Sequence, residues 1–390
     1  MASWMYDREN VVVDIRKLLR EGRHIRVCGP RKVGKTTILE NLGEELGFQF
    51  HYFNCETTGA NSPESIANGM KRAFRANIPR EAPGDHWMDV MHEVLEFLKI
   101  KNDNCIVIID ELSDALDKMS EDQRHDFLNG ILMLPDRIGV QLIVCGSIGF
   151  DRVLNNYEQA HKIRAMLAPV YVEPFDKDTA RSFIKECFSR NRLNIPDDIF
   201  PILTESIISC FGKDSLFPLF LERFITDAIP PLLRPKSELG IVISERQKEK
   251  AAVGPLDSKI ILRLDTAVKD AYNERIQQVV DICENRRTGG GLLQDLAGYV
   301  HLIKGDLERT GGLSLDRAQL VTRVLQMDKI TPGIISLIGD EGIERILRNL
   351  KENYLIKKSG ENYISYVKFL MDVWSRLYPL EVELEERRDE

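Results

Sequence analysis

Short apolar runs alternate with amphipathic stretches through the first half of the chain. The apolar runs predict five buried strands, at residues 25–28, 48–53, 105–109, 140–147 and 168–172. The amphipathic stretches predict the main helices, at residues 6–20, 37–46, 65–75, 86–100, 121–134 and 176–191. Asp7 and Ser120 are the expected N-caps of the helices that follow them. Strands and helices that alternate in this way are typical of an α/β fold, a parallel sheet with helices on both faces.

The segment 29–36, with the sequence Gly-Pro-Arg-Lys-Val-Gly-Lys-Thr, fits the phosphate-loop pattern G-x-x-x-x-G-K-[ST] at every fixed position. It follows a predicted strand and opens a predicted helix, which is the context that the pattern requires; the alternative is a glycine-rich turn before an amphipathic helix. Lys35 is expected to reach the β- and γ-phosphates, and the Thr36 hydroxyl to bind Mg²⁺. The predicted ATP contacts are Gly29, Pro30, Arg31, Lys32, Val33, Gly34, Lys35, Thr36 and Thr37.

Two carboxylates, Asp110 and Glu111, end the apolar strand at 105–109. Ligands of open α/β sheets bind at the carboxyl ends of the strands, so this pair predicts a Walker B element. Asp110 would hold Mg²⁺, and Glu111 would polarise the attacking water. The alternative is a strand that ends in solvated acids. Ser147, at the end of the fourth strand, could sense the γ-phosphate or hold the water, or could simply be a turn and helix cap.

The second half of the chain is predicted to be helical up to a hairpin near its end. A long helix is predicted at 257–285, a helix at 342–353, and two strands at 354–358 and 363–366 around a turn. A helix followed by such a hairpin resembles a winged helix-turn-helix. The helix at 342–353 and its flank mix basic and acidic residues, which is weak support for DNA binding.

Composition narrows the class of protein. The chain has 390 residues, enough for two or three domains, and a net charge of −8, which argues against a surface that coats nucleic acid. It has no apolar stretch of membrane-spanning length, its first residues lack the basic and apolar regions of a signal peptide, and no CxxC or paired His/Cys spacing suggests zinc. We therefore expect a cytoplasmic protein with reduced cysteines and no membrane contact.

The chain resembles the STAND-class P-loop ATPases, and among them the archaeal-type AAA-like ATPase branch. The resemblance runs from about residue 6 to residue 378 and rests on short motifs in the right order: Asp7-Arg8-Glu9, the phosphate loop, Asp110-Glu111, Gly146-Ser147, Val172-Glu173-Pro174-Phe175 and Phe217-Pro218-Leu219. The last of these lacks the glycine that precedes the proline in the family. The resemblance implies that Arg8 and Pro218 contact the nucleotide.

The resemblance also implies a domain organisation. The expected parts are an AAA-like P-loop ATPase core (1–175), a helical lid and linker (176–255), a helical and winged-helix domain (256–380) and an acidic tail (381–390). Nucleotide state in this class rearranges the lid and the winged helix. The implied function is an ATP-controlled switch in defence or stress signalling that assembles with further copies or acts on a separate effector protein.

Three interpretations of the activity remain open: a switch that hydrolyses ATP, a DNA-acting ATPase, and a scaffold that binds nucleotide without turnover. Hydrolysis by such a switch is expected to use an arginine finger, for which Arg152 and Arg164 are the candidates, unless both are solvated helix residues. The rival function is a DNA-acting AAA+ ATPase, an origin-binding or transposition regulator, that uses its winged helix. A nucleotide-binding scaffold without turnover is disfavoured by Glu111, because binding alone needs no acid that polarises water.

Overall fold

The computed structural model describes most of the first 284 residues and short pieces of the rest. The described residues are 8–30, 32–46, 48–74, 86–102, 104–146, 163, 165–213, 216–248, 256–284, 329–330, 347, 351, 356–360 and 362–365. The chain divides into two compact units, the first ending at Glu173 and the second beginning at Pro174.

A five-stranded parallel sheet forms the centre of the first unit. Its strands are β1 (His24–Cys28), β2 (Gln49–Asn54), β3 (Cys105–Asp110), β4 (Gln141–Cys145) and β5 (Leu167–Tyr171). The order across the sheet is β2-β3-β4-β1-β5, so the phosphate-loop strand β1 lies between β4 and β5. The predicted parallel sheet is confirmed.

Helices pack against this sheet. They are α1 (Glu9–Arg20), α2 (Lys35–Leu46), α3 (Cys55–Thr58), α4 (Pro63–Ala73), α5 (Trp87–Lys101), α6 (Leu112–Lys118) and α7 (Glu121–Ile138). Every residue of β1 and β3 is buried. Because successive side chains of a strand point to opposite faces, both faces of these central strands are covered.

Several boundaries differ from the sequence prediction. Arg8, not Asp7, occupies the N-cap position of α1, which begins at Glu9. Helix α7 does begin after the expected cap, where the Ser120 hydroxyl accepts a hydrogen bond from the Gln123 N–H. It continues through Pro135 to Ile138, four residues past the predicted end. Helices α3 and α6 were not predicted.

The second unit is helical at its start. Its helices are α8 (Lys177–Arg190), α9 (Phe200–Phe211), α10 (Pro218–Arg223), a π-helical turn (Phe224–Ala228), α11 (Ile229–Leu232), α12 (Glu238–Lys248) and α13 (Ser258–Glu284). Phe211, Phe224 and Tyr272 form a mutual edge-to-face cluster, with ring centroids 5.3–5.9 Å apart. This cluster joins α9 and the π-helical turn to the long helix α13.

A small antiparallel sheet belongs to the same unit. Its strands are β6 (Lys329–Ile330), β7 (Ile356–Ser359) and β8 (Asn362–Ser365), in the order β6-β8-β7. The predicted hairpin is therefore present, with β6 as an unpredicted third strand. Of the helix predicted at 342–353, only Leu347 and Lys351 are described, so the winged helix remains a prediction; the acidic tail lies outside the described residues. No helix in the described part of the chain is long and apolar enough to cross a membrane.

Candidate functional site

The described residues of the loop between β1 and α2 have the backbone conformations that the phosphate-loop pattern predicts. Gly29 has φ 148° and Gly34 has φ 96°, conformations that favour glycine. A Cβ on Gly29 would also collide with the carbonyl oxygen of Val172, just after β5. Lys32 adopts a left-handed conformation with φ 64°. The loop is therefore fixed by its own backbone and by the neighbouring chain segment.

Lys35 is buried at the first position of α2, with 4% of its surface exposed. Its Nζ donates hydrogen bonds to the carbonyl oxygens of Gly29 (2.9 Å) and Pro30 (2.8 Å), so the ammonium lies inside the loop. The N–H groups of the first turn of a helix have no partner within the helix. Those of Lys35, Thr36 and Thr37 belong to this class, which makes the start of α2 suited to an anion.

The carboxylate of Asp110 lies at the end of β3, fully buried. Its Oδ2 accepts a hydrogen bond from the Thr36 hydroxyl (2.8 Å) and another from the Tyr52 hydroxyl (2.7 Å). Its Oδ1 accepts the backbone N–H of Glu111 (2.9 Å). The structure thus brings the end of β3, the start of α2 and the end of β2 together around one carboxylate.

This arrangement fits Mg²⁺. A hydroxyl and a carboxylate within hydrogen-bond distance of each other offer the oxygen ligands that Mg²⁺ prefers, and Mg²⁺ usually takes only one or two protein ligands beside water and phosphate oxygens. Within the described residues, no group of three or more His, Cys, Asp or Glu side chains could hold a metal ion. A shared site with phosphate oxygens therefore suits these residues better than a metal cage built from protein alone.

Glu111 follows Asp110 directly and is half-buried at the N-cap position of α6. Its backbone is left-handed, with φ 51° and ψ 38°, which is uncommon for a residue other than glycine. The chain therefore turns sharply between β3 and α6, and Glu111 stays at the carboxyl edge of the sheet.

The Asp110 charge affects three neighbouring groups that the sequence analysis did not select. Burial, and then the Asp110 charge, raise the pKa of the Tyr52 hydroxyl far above its usual value and also raise the pKa of Glu40 on α2. Burial, and then the Asp110 charge, raise the pKa of the Cys145 thiol on β4, and a hydrogen bond to Asp110 adds to this. Tyr52 and Cys145 therefore remain protonated donors at neutral pH. The alternation Tyr52-Phe53-Asn54 at the end of β2 was the signal that could have identified Tyr52.

Arg8 connects three parts of the first unit. Its guanidinium donates to the carbonyl oxygen of Val33 in the phosphate loop (3.0 Å) and to that of Glu173 after β5 (2.9 Å). The structure thus uses Arg8 on two backbone carbonyls. Its contact with the nucleotide stays a prediction.

Five predicted site residues are not joined to this cluster by the described structure. Arg31, Ser147, Arg152 and Arg164 lie outside the described residues. Pro218 lies in the second unit, at the first position of α10. Their predicted roles remain predictions.

Comparison with known proteins agrees with the geometry of the loop. Residues 18–154 match the family model of the AAA domain. Comparison with curated proteins finds no match. The chain is similar to a Walker-type ATPase of Pyrococcus abyssi, with 16% identity, 95% of each chain covered and a TM-score of 0.59. It is similar to the ORC2 protein of Aeropyrum pernix, solved in ADPNP-ADP complexes, with 14% identity, coverage of 95% of this chain and 92% of that one, and a TM-score of 0.51. Residues 18–154, within the first unit, are therefore similar to an AAA domain, and the similarity to these two structures concerns the fold.

Proposed function

We propose that this protein binds ATP with Mg²⁺ and hydrolyses it, and that the nucleotide state acts as a switch for assembly with further copies or with a separate effector protein. The observation that carries the proposal is the contact between the Thr36 hydroxyl and Asp110 Oδ2 (2.8 Å). Thr36 directly follows Lys35 in the chain, and Asp110 directly precedes Glu111. This contact supports a single site that combines a phosphate-binding loop, a pair of metal ligands and an acidic side chain that can polarise the attacking water.

Each residue has a distinct role in this proposal. Lys35 exchanges its two loop carbonyl partners for oxygens of the β- and γ-phosphates. Thr36 and Asp110 would hold Mg²⁺, which when bound neutralises charge on the phosphates. Glu111 orients the attacking water and accepts proton density from it. An arginine finger, Arg152 or Arg164, would stabilise the charge that builds on the transferring phosphoryl group.

The switch part of the proposal is a STAND-type mechanism. It is supported by the resemblance of the chain's motifs to that class and by the division into a nucleotide-binding unit and a mostly helical unit. A defence or stress-signalling role belongs to the same proposal.

A DNA-acting ATPase is the second candidate. The observation that favours it is the exposure of Lys357 and Lys358 on β7, the first strand of the hairpin that would form the wing. Cations on a wing can contact phosphates of the DNA backbone. The net charge of −8 favours a protein partner instead.

The Lys35→Ala variant tests the phosphate site. The variant loses a charged donor that faces two phosphates, so ATP binding is expected to weaken by about 10- to 100-fold. This loss corresponds to the free energy of a charge-assisted hydrogen bond, about 1.5–3 kcal/mol. Isothermal titration calorimetry measures the affinity, and a phosphate-release assay measures turnover. Lys118→Ala, an exposed lysine at the end of α6, is the matched control and should behave as wild type. Wild-type affinity in Lys35→Ala would disprove the phosphate site.

A further inference from the structure

Tyr52 and Asn54 lie on the same side of β2, because alternate residues of a strand point to one face. In the parallel pairing of β2 with β3, Asn54 is directly opposite Asp110 and Tyr52 is opposite Ile108. The end of β2 therefore brings two polar side chains to the carboxylate, while Phe53 between them is buried in the core.

The direction of each hydrogen bond in this group is defined by chemistry. Asn54 Nδ2 can only donate, so the Tyr52 oxygen accepts from it (3.2 Å). The Tyr52 O–H is then directed at Asp110 Oδ2 (2.7 Å), and the other end of the Asn54 amide, Oδ1, accepts the Thr57 N–H (2.9 Å) as the N-cap of α3. A continuous chain of hydrogen bonds thus runs from the cap of α3 to the carboxylate of Asp110.

Both oxygens of Asp110 are held by this network. Oδ1 accepts a backbone N–H and Oδ2 accepts two hydroxyls, so the carboxylate cannot rotate without breaking a bond. Thr36 contributes one of the two hydroxyls, but its oxygen is itself the second expected ligand of the metal. Tyr52 contributes the other hydroxyl on Oδ2 and lies outside the ligand pair, as does the Cys145 thiol, which also hydrogen-bonds to Asp110.

We propose that Tyr52 is a positioning residue for divalent-metal binding: its hydroxyl, oriented by Asn54, holds the Asp110 carboxylate in the geometry that accepts Mg²⁺ beside Thr36. The inference rests on the proposed nucleotide site. Partners that hydrogen-bond to a metal ligand typically contribute 10- to 100-fold in metal affinity, so we expect an effect at the lower end of about 10-fold from one hydroxyl.

Tyr52→Phe tests this, because it removes the hydroxyl and keeps the ring. Mn²⁺ is titrated into the full-length protein in the presence of saturating ADP, and the free ion is measured by electron paramagnetic resonance. We expect Mn²⁺ affinity to fall about 10-fold in Tyr52→Phe. The affinity for ADP in excess EDTA should be unchanged, since Lys35 and the loop are intact. Tyr171→Phe, the same chemical change at an exposed tyrosine of β5, is the control and should bind Mn²⁺ as wild type does.

Three results would overturn the proposal: wild-type Mn²⁺ affinity in Tyr52→Phe, an equal loss in Tyr171→Phe, or a parallel loss of ADP affinity in EDTA, which would indicate a general structural role. If Tyr52→Phe does not fold, Asn54→Ala is the deciding variant. We expect it to lose less Mn²⁺ affinity than Tyr52→Phe would, and wild-type Mn²⁺ affinity in Asn54→Ala would contradict the proposal. The measurement requires no turnover. A wild-type protein that binds Mn²⁺ and ADP without hydrolysing ATP would therefore refute the proposed ATPase activity and leave the role of Tyr52 intact.

Discussion

Glu111 occupies a backbone conformation that costs free energy. A left-handed conformation at a residue other than glycine costs about 1–3 kcal/mol and persists only where the surroundings enforce it. Here the buried strand β3 ends immediately before Glu111 and α6 begins immediately after it. The left-handed turn starts α6 directly after β3, so Glu111 remains at the carboxyl edge of the sheet next to Asp110 in the chain, which supports a role for Glu111 with the reacting water.

The Glu111→Gln variant is therefore expected to bind ATP like wild type and to hydrolyse it about 10²–10⁴-fold more slowly. The amide keeps the size of the side chain but cannot accept proton density from water. Calorimetry with ATP and a phosphate-release assay separate binding from turnover. Glu121→Gln, in the exposed first turn of α7, is the control. Unchanged turnover in Glu111→Gln would favour a nucleotide-binding scaffold.

At the residue scale, predictability depends on how local the contact is. Gly29, Lys35 and Thr36 fall within eight residues of a contiguous motif, so their relative placement follows from one loop and one helix start. Tyr52 meets Asp110 only because β2 and β3 pair in a particular register, although the two residues are 58 positions apart in the sequence. The alternation Tyr52-Phe53-Asn54 could have singled out Tyr52 as a polar residue of the strand, but nothing in the sequence specifies the register, so its contact with Asp110 had to come from the structure.

At the scale of elements, α1 packs on the first unit through its buried apolar residues and adds one charged side chain that contacts the phosphate loop. Arg8, at the N-cap of α1, donates to carbonyl groups of the phosphate loop and of the segment after β5. Neither acceptor lies in a regular helix or strand, so these bonds hold two irregular segments to the start of α1. We infer that Arg8 supports the shape of the loop.

Arg8→Ala should lower the thermal unfolding midpoint. Hydrogen bonds from charged donors are worth about 1.5–3 kcal/mol each, and a net loss of about 2 kcal/mol corresponds to about 4–8 °C in a domain of this size. ATP affinity should fall as well, since the loop loses a restraint. Differential scanning fluorimetry with and without ATP gives both quantities. Arg20→Ala, at the exposed end of the same helix, is the control for the loss of charge. A wild-type thermal unfolding midpoint in Arg8→Ala would contradict the inference.

The elements that the sequence analysis missed are short or are distributed over polar stretches. The start of α4 was missed by two residues: the helix was predicted at 65–75, whereas α4 begins at Pro63 and buries Ile66, Ala67 and Met70 in the core. The signal was present: Ser62 and Ser65 form a capping box before Pro63 at the first helical position. Strand β6 has only two residues and is defined by its partner β8, so no pattern within it could have predicted it.

At the scale of the whole molecule, the alternation of strands and helices was sufficient to predict a parallel sheet, because parallel strands need crossover connections. It did not predict the strand order. Strand β1 pairs with β4 and β5, each more than 100 residues away along the chain, and alternation does not specify such pairings. The two compact units likewise follow from non-local contacts rather than from a change in composition.

The hairpin of β7 and β8 provides the test between a protein partner and DNA. Lys357 and Lys358 are exposed on β7, while the whole chain carries a net charge of −8. The predicted recognition helix and its flank contain Glu341, Glu344 and Glu352, which phosphates would repel. We therefore expect binding to duplex DNA to be weak, without sequence preference, and lost near physiological salt.

Fluorescence anisotropy over a series of salt concentrations measures this binding. Each lysine that contacts a phosphate contributes about one unit to the slope of log affinity against log salt, so Lys357→Ala/Lys358→Ala should lower the slope by about two units. Lys17→Ala/Arg20→Ala removes the same charge from the last turn of α1 and should leave the slope unchanged. Nanomolar, sequence-specific binding that is lost in Arg345→Ala/Arg348→Ala would instead establish base contacts from the predicted recognition helix, since only side chains that reach base edges carry sequence information. That result would replace the proposed switch with the DNA-acting ATPase.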